Sequence, residues 1–133
     1  FWLEDEGFCA LALDGDRQRV DSITSNPGHC LSLGILTPER AYSVAERLRA
    51  PDMFNGWGIR TLSSLSPAYN PMGYHIGSVW PHDNALIAMG LRSLGLIDQA
   101  LELAQGLIDM TQYQPYNRPP ELFCGYERNG DRT

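Results

Sequence analysis

Pro119-Pro120-Glu121 sets a carboxylate directly behind two residues of fixed φ. Phe123 and Tyr126 follow closely enough to shield it in part. A rigid, partly shielded carboxylate suits general-base work, because activating a water demands fixed placement and a tuned affinity for the proton. Glu121 is therefore the candidate general base, although an ordinary loop carboxylate would look the same.

The densest polar and aromatic signal lies upstream, in Phe54-Asn55-Gly56-Trp57-Gly58-Ile59-Arg60-Thr61, Tyr69-Asn70-Pro71-Met72-Gly73-Tyr74-His75 and Gly77-Ser78-Val79-Trp80-Pro81-His82-Asp83-Asn84. Sugars present flat C–H faces that stack on aromatic rings, and rims of hydroxyls that need fixed donors and acceptors. Trp57, Tyr74 and Trp80 would supply the platforms. Arg60, His75, His82, Asp83 and Asn84 would supply the hydrogen bonds. Asp83 also sits near a helix start, where the dipole favours a carboxylate. The competing account makes Trp57 and Trp80 core rings and Asp83 a good first-turn residue.

His75, His82 and Asp83 match no metal-ligand spacing, so neither a metal nor another cofactor is expected. His29-Cys30 is not a nucleophile–base pair, since adjacent helical residues point in different directions. A structural thiol is the simpler account. The run Glu4-Asp5-Glu6 reads as a solvated face.

The positioning elements come in two helix pairs. The first starts at Asn26-Pro27, passes Cys30, Leu31 and Leu33, and stops near Gly34. Thr37-Pro38-Glu39 opens its partner, whose apolar stripe is Ala41, Val44, Ala45 and Leu48, and which ends before Pro51. Pro81 opens the second pair with Leu86, Ile87, Leu91 and Leu94, closed by Gly95. Ile97, Ala100, Leu101, Ala104, Leu107 and Ile108 then form a stripe reaching Thr111, opposite a wet face of Asp98, Glu102, Gln105 and Asp109. Phe8–Leu13 before Asp14-Gly15-Asp16 reads as a strand of a short β-hairpin near the N-terminus.

Short joints make each pair an antiparallel hairpin. Residues 14–26, 50–80 and 112–133 are long loops rich in Gly, Pro, Asn and aromatics. Each follows the second helix of a pair or precedes the first, so all three gather at one end of the stack. That layout predicts an all-α fold, part of an (α/α)6 barrel, with function on the long-loop end. Two pairs cannot close such a barrel. Residues 1–133 are thus expected to be a fragment of a single catalytic domain, completed by the missing remainder or by self-association.

The 133 residues include ten Arg and no Lys against 16 carboxylates, for a net charge of −6. That balance argues against nucleic acid and against an anionic membrane surface as partners, and leaves a neutral oligo- or polysaccharide open. No apolar run approaches the length of a membrane span. Cys9, Cys30 and Cys124 are odd in number and widely spaced, which favours a reduced, cytoplasmic setting.

Four blocks carry a family resemblance: Asp21-Ser22-Ile23-Thr24-Ser25-Asn26-Pro27-Gly28-His29-Cys30, Gly56-Trp57-Gly58-Ile59-Arg60-Thr61-Leu62, Gly77 to Asn84, and Pro120-Glu121-Leu122-Phe123-Cys124-Gly125. Together, in order and over nearly the whole chain, they resemble bacterial amylo-α-1,6-glucosidase proteins, which are glycogen debranching enzyme-like. The wider relatives are the six-hairpin glycosidases. The resemblance implies an (α/α)6 barrel and inverting hydrolysis of α-glucosidic linkages by two carboxylates. It implies that Glu121 is the base and that the general acid lies on an earlier loop, upstream of Phe1. The isolated chain is then expected not to hydrolyse glycans.

Two other functions fit the same residues. A non-catalytic carbohydrate-binding module would keep the aromatic platforms. An α/α-barrel sugar epimerase would rely on His75 and His82 instead of Glu121.

Overall fold

The computed structural model describes residues 1–128; the last five positions of the loop 112–133 lie outside it. Four two-residue strands open the chain. β1 (Trp2–Leu3) pairs with β2 (Phe8–Cys9), and β3 (Ala12–Leu13) pairs with β4 (Arg19–Val20), both antiparallel. A hairpin around Asp14-Gly15-Asp16 is present as β3–β4, but the single strand expected over Phe8–Leu13 is split, its first part pairing back with β1. A helical body follows: a 3-10 segment at Asn26–Ser32, then α1 (Pro38–Leu48), α2 (Pro81–Ser93) and α3 (Ile97–Thr111).

The segment Asn26–Ser32 departs from the α-helix expected there. Pro27 and Gly28 are poor helix formers in a stretch of only seven residues. Gly28 is also pressed against α2: a Cβ on it would lie 2.6 Å from Ile87 Cγ1. Close approach to α2, rather than helix propensity, sets its conformation.

α1 forms as its sequence predicts. Thr37 caps it by accepting from Arg40 N, Pro38 fills the first position, and Ala41, Val44, Ala45 and Leu48 are buried. α2 packs against both the 3-10 segment and α3, and it buries Asn84, Ile87, Gly90 and Leu91. The core joins Phe8, Leu31, Val44, Leu48, Met53, Ile59, Ile87, Leu91 and Leu103 into one cluster.

α3 is rotated from the expected stripe. It buries Ala100, Leu103, Gly106 and Met110, while Ile97, Leu101 and Ile108 are exposed. The helix is apolar over a wide arc, so periodicity alone does not select the face that meets α2. Gly106 decides it, because a Cβ there would lie 2.4 Å from the Trp57 carbonyl oxygen.

The long loops do meet. Single antiparallel bridges join Thr24 to Leu62, Arg60 to Val79, and Val79 to Phe123, so the three loops are stitched together at the start of α2. No helix among the described residues is long and apolar enough to cross a membrane.

Candidate active site

Val79 and Phe123 exchange two backbone hydrogen bonds, of 2.9 and 3.0 Å. This antiparallel pairing carries Glu121, two residues before Phe123, across from Pro81, two residues after Val79. The approach relies on glycine. A Cβ on Gly125 would lie 1.7 Å from the Gly77 carbonyl oxygen, so any side chain there would push the loops apart.

Tyr74 then fixes the carboxylate, its hydroxyl donating to Glu121 Oε1 at 2.5 Å. That bond raises the Tyr74 pKa above its ordinary value, with smaller contributions from desolvation and the nearby charge. Trp80 is oriented in turn by its Nε1–H, which donates to Tyr74 O at 2.9 Å and Ser78 Oγ at 3.1 Å. Tyr74 meets Trp80 edge to face with ring centroids 4.8 Å apart, and His75 stacks on Trp80 at 5.1 Å and 13°. Trp80, His82, Pro119, Pro120 and Glu121 line an open groove of about 540 Å³.

A second concavity of about 330 Å³ lies beside this groove. Thr24, Asn26, Thr61, His75, Trp80 and Asp83 contribute to its lining, so Trp80 borders both spaces. Asp83 Oδ1 is held by His29 Nε2 from the 3-10 segment. His29 and Thr24 were not singled out by sequence as site residues. Fifty-four positions separate His29 from Asp83, and no local spacing announces such a pair.

Three residues expected at the rim are placed elsewhere. Arg60 is 1% exposed, and its guanidinium donates to the carbonyls of Pro51, Asp52 and Gly125 and to Glu127. Asn84 is wholly buried, accepting from Ile59 N and donating to Ile59 O and Trp80 O. Both are spent on holding the loops together. Trp57 packs instead edge to face with Tyr113 and beneath the Arg128 guanidinium. Tyr74, His75, Trp80, His82, Asp83 and Glu121 are the expected residues that the fold brings together.

Two helix pairs with long loops stitched over one end thus carry an aromatic-walled groove and a fastened carboxylate. Residues 1–127 match the family model of the mannosylglycerate hydrolase MGH1-like glycoside hydrolase domain, and the chain belongs to that family. Of the debranching-enzyme likeness, the match supports the broader part, a glycoside hydrolase domain.

Solved structures agree at the level of fold. The GH63 mannosylglycerate hydrolase from Thermus thermophilus, in complex with glucose, superposes with a TM-score of 0.79 at 21% identity. The match covers 96% of this chain and 32% of that one. An uncharacterized conserved protein from the same organism gives 0.76 at 22% identity, over 96% and 32% of the two chains. The complex of the hydrolase with Tris and D-glycerate gives 0.68 at 22%, over 95% and 32%. The chain thus spans about a third of the length of the structures it matches. No curated protein matches it.

Proposed function

We propose that the protein containing this chain hydrolyses a glycosidic bond by inversion, with Glu121 as the general base. The chain would be part of a single (α/α)6 catalytic domain whose remainder supplies the general acid. The observation that carries this reading is the Glu121 carboxylate, held through Oε1 by Tyr74 on the edge of a groove walled by Trp80 and His82. Oε2 has no partner among the described residues, which leaves it able to accept a proton from water. In an inverting reaction the two carboxyl groups stand about 6.5–9.5 Å apart, so that water fits between the base and the anomeric carbon.

The substrate is an α-linked hexoside. An α-glucoside, including a debranching-type α-glucan, follows from the sequence blocks. Mannosylglycerate is the second substrate, favoured by the name of the matching family model. Self-association is an alternative to a covalent remainder for covering the exposed strip Ile97, Leu101 and Ile108.

The test is Glu121→Gln in the full protein, assayed on maltose, branched α-glucan and mannosylglycerate. A fall in kcat of about 10²–10⁴-fold with sugar affinity retained is expected, the usual contribution of a general base. Undiminished turnover in that variant would remove Glu121 from the chemistry. If His75→Ala or His82→Ala then abolished activity, histidine acid–base chemistry would take its place.

A further inference from the structure

Ser78 is wholly buried, yet its side chain is polar. A hydroxyl out of reach of water must find its partners within the fold, and this one uses both of its capacities. Ser78 Oγ donates to the Tyr74 carbonyl at 2.7 Å and accepts from Trp80 Nε1 at 3.1 Å. The Tyr74 carbonyl takes a second bond, from Trp80 Nε1 at 2.9 Å. Hydroxyl, carbonyl and indole thus close a small ring. No other hydrogen bond among the described residues fastens the main chain of Tyr74 or His75.

Ser78 is itself anchored to the opposite side of the loop 50–80. Its carbonyl accepts from Thr61 N at 2.9 Å and from Thr61 Oγ1 at 3.1 Å, and Thr61 Oγ1 accepts from Gly77 N at 2.9 Å. A chain of bonds therefore runs from Thr61, through the Ser78 backbone and hydroxyl, to the peptide that carries Tyr74. The Tyr74 phenol then ends on Glu121 Oε1. Tyr74 is half-exposed, so little packing fixes its ring, and its aim depends on how firmly its main chain is held.

We propose that Ser78 is a positioning residue, whose hydroxyl fixes the Tyr74 main chain so that the phenol meets Glu121. Ser78 is too buried to touch substrate and acts through Tyr74. The catalytic consequence rests on the reading of Glu121 as general base, whereas the placement of Tyr74 can be followed without turnover.

Ser78→Ala removes the hydroxyl and adds no bulk. Trp80 Nε1–H keeps the Tyr74 carbonyl as acceptor, so no buried donor is orphaned and the variant should fold. Placement is read by NMR titration of the full protein labelled in its tyrosine rings, the Tyr74 signal being identified by its loss in Tyr74→Phe. The bond to Glu121 holds the Tyr74 pKa above its ordinary value, so Ser78→Ala should move that midpoint down towards it. Ser78→Cys, a weaker donor of similar size, should move it the same way by less. A midpoint equal to wild type in folded Ser78→Ala would overturn the proposal. Catalysis is read by a double-mutant cycle on kcat. Ser78→Ala should lower kcat about threefold to tenfold, the scale of one neutral hydrogen bond, with KM changing less. In a Tyr74→Phe background the same substitution should cost less than about twofold, because the contact it positions is already gone. Equal losses in both backgrounds would show general support of the fold and would also overturn the proposal. If Glu121→Gln kept full turnover while Ser78→Ala still shifted the Tyr74 midpoint, the catalytic assignment would fail and the positioning role would stand.

Discussion

Tyr74 and Glu121 are joined by a hydrogen bond at the edge of the groove. Tyr74 is half-exposed, yet its hydrogen bond to the carboxylate raises its pKa, so the hydroxyl remains a donor through neutral and mildly alkaline solution. Without that donor the carboxylate is free to rotate and no longer presents one oxygen to water. Tyr74→Phe in the full protein should therefore lower kcat about 10–100-fold, the scale of a hydrogen bond to a charged group. KM should change less. Steady-state kinetics on the best substrate reads both, and a change confined to KM would make Tyr74 a sugar platform only. At this scale the sequence was informative about residue types and poor on duties. Pro119-Pro120-Glu121 and Trp80-Pro81 announce rigid positions. Arg60 and Asn84 look like ligands for sugar hydroxyls, but each is committed to partners that include a distant backbone carbonyl, Gly125 O for Arg60 and Ile59 O for Asn84, which no spacing reveals.

Between elements, the site is held by contacts too close to tolerate a side chain. α3 reaches the Trp57 segment through Gly106, where the obstructing atom is a backbone oxygen and cannot swing aside. Gly106→Ala should destabilise the full protein by about 1–3 kcal/mol despite the better helix propensity of alanine. Thermal denaturation checks this, and an unchanged or raised midpoint would mean that α3 can shift freely. The end of α1 is tied to the middle loop by Asp52. Burial pushes its pKa up, but hydrogen bonds from Arg47 and Ser63 and the Arg47 charge outweigh burial and hold it below the usual aspartate value. A carboxylate with a depressed folded-state pKa stabilises fully above its unfolded value, about 3.9, and loses that contribution as pH falls through the folded value. Denaturant midpoints of the full protein should thus decline below about pH 4, and Asp52→Asn should flatten that decline. Equal slopes in the two proteins would show that Asp52 contributes little. The helix stripe of α1 was legible because one face is apolar and the other is not. α3 was not, because its apolar arc is wide enough to fit two orientations, and Asn26–Ser32 was not, because tertiary packing overrides its weak local preference.

Across the whole molecule, the gathering of three long loops at one end was legible from alternating short and long connections, and bridges between Thr24, Leu62, Val79 and Phe123 realise it. The glycoside hydrolase class followed from blocks spread along nearly the entire chain, though the debranching-type family and the substrate did not, since one scaffold serves many sugars. The net charge of −6 fits a neutral ligand. In the proposed reaction Glu121 activates the water that attacks the anomeric carbon. Azide rescue of Glu121→Ala in the full protein, with an activated α-glucoside and product configuration read by proton NMR, tests this directly. Removing the exposed carboxylate should stop hydrolysis, and azide entering the space should restore turnover and yield the β-glycosyl azide. Hydrolysis at the wild-type rate without azide, or an α-configured product, would contradict it.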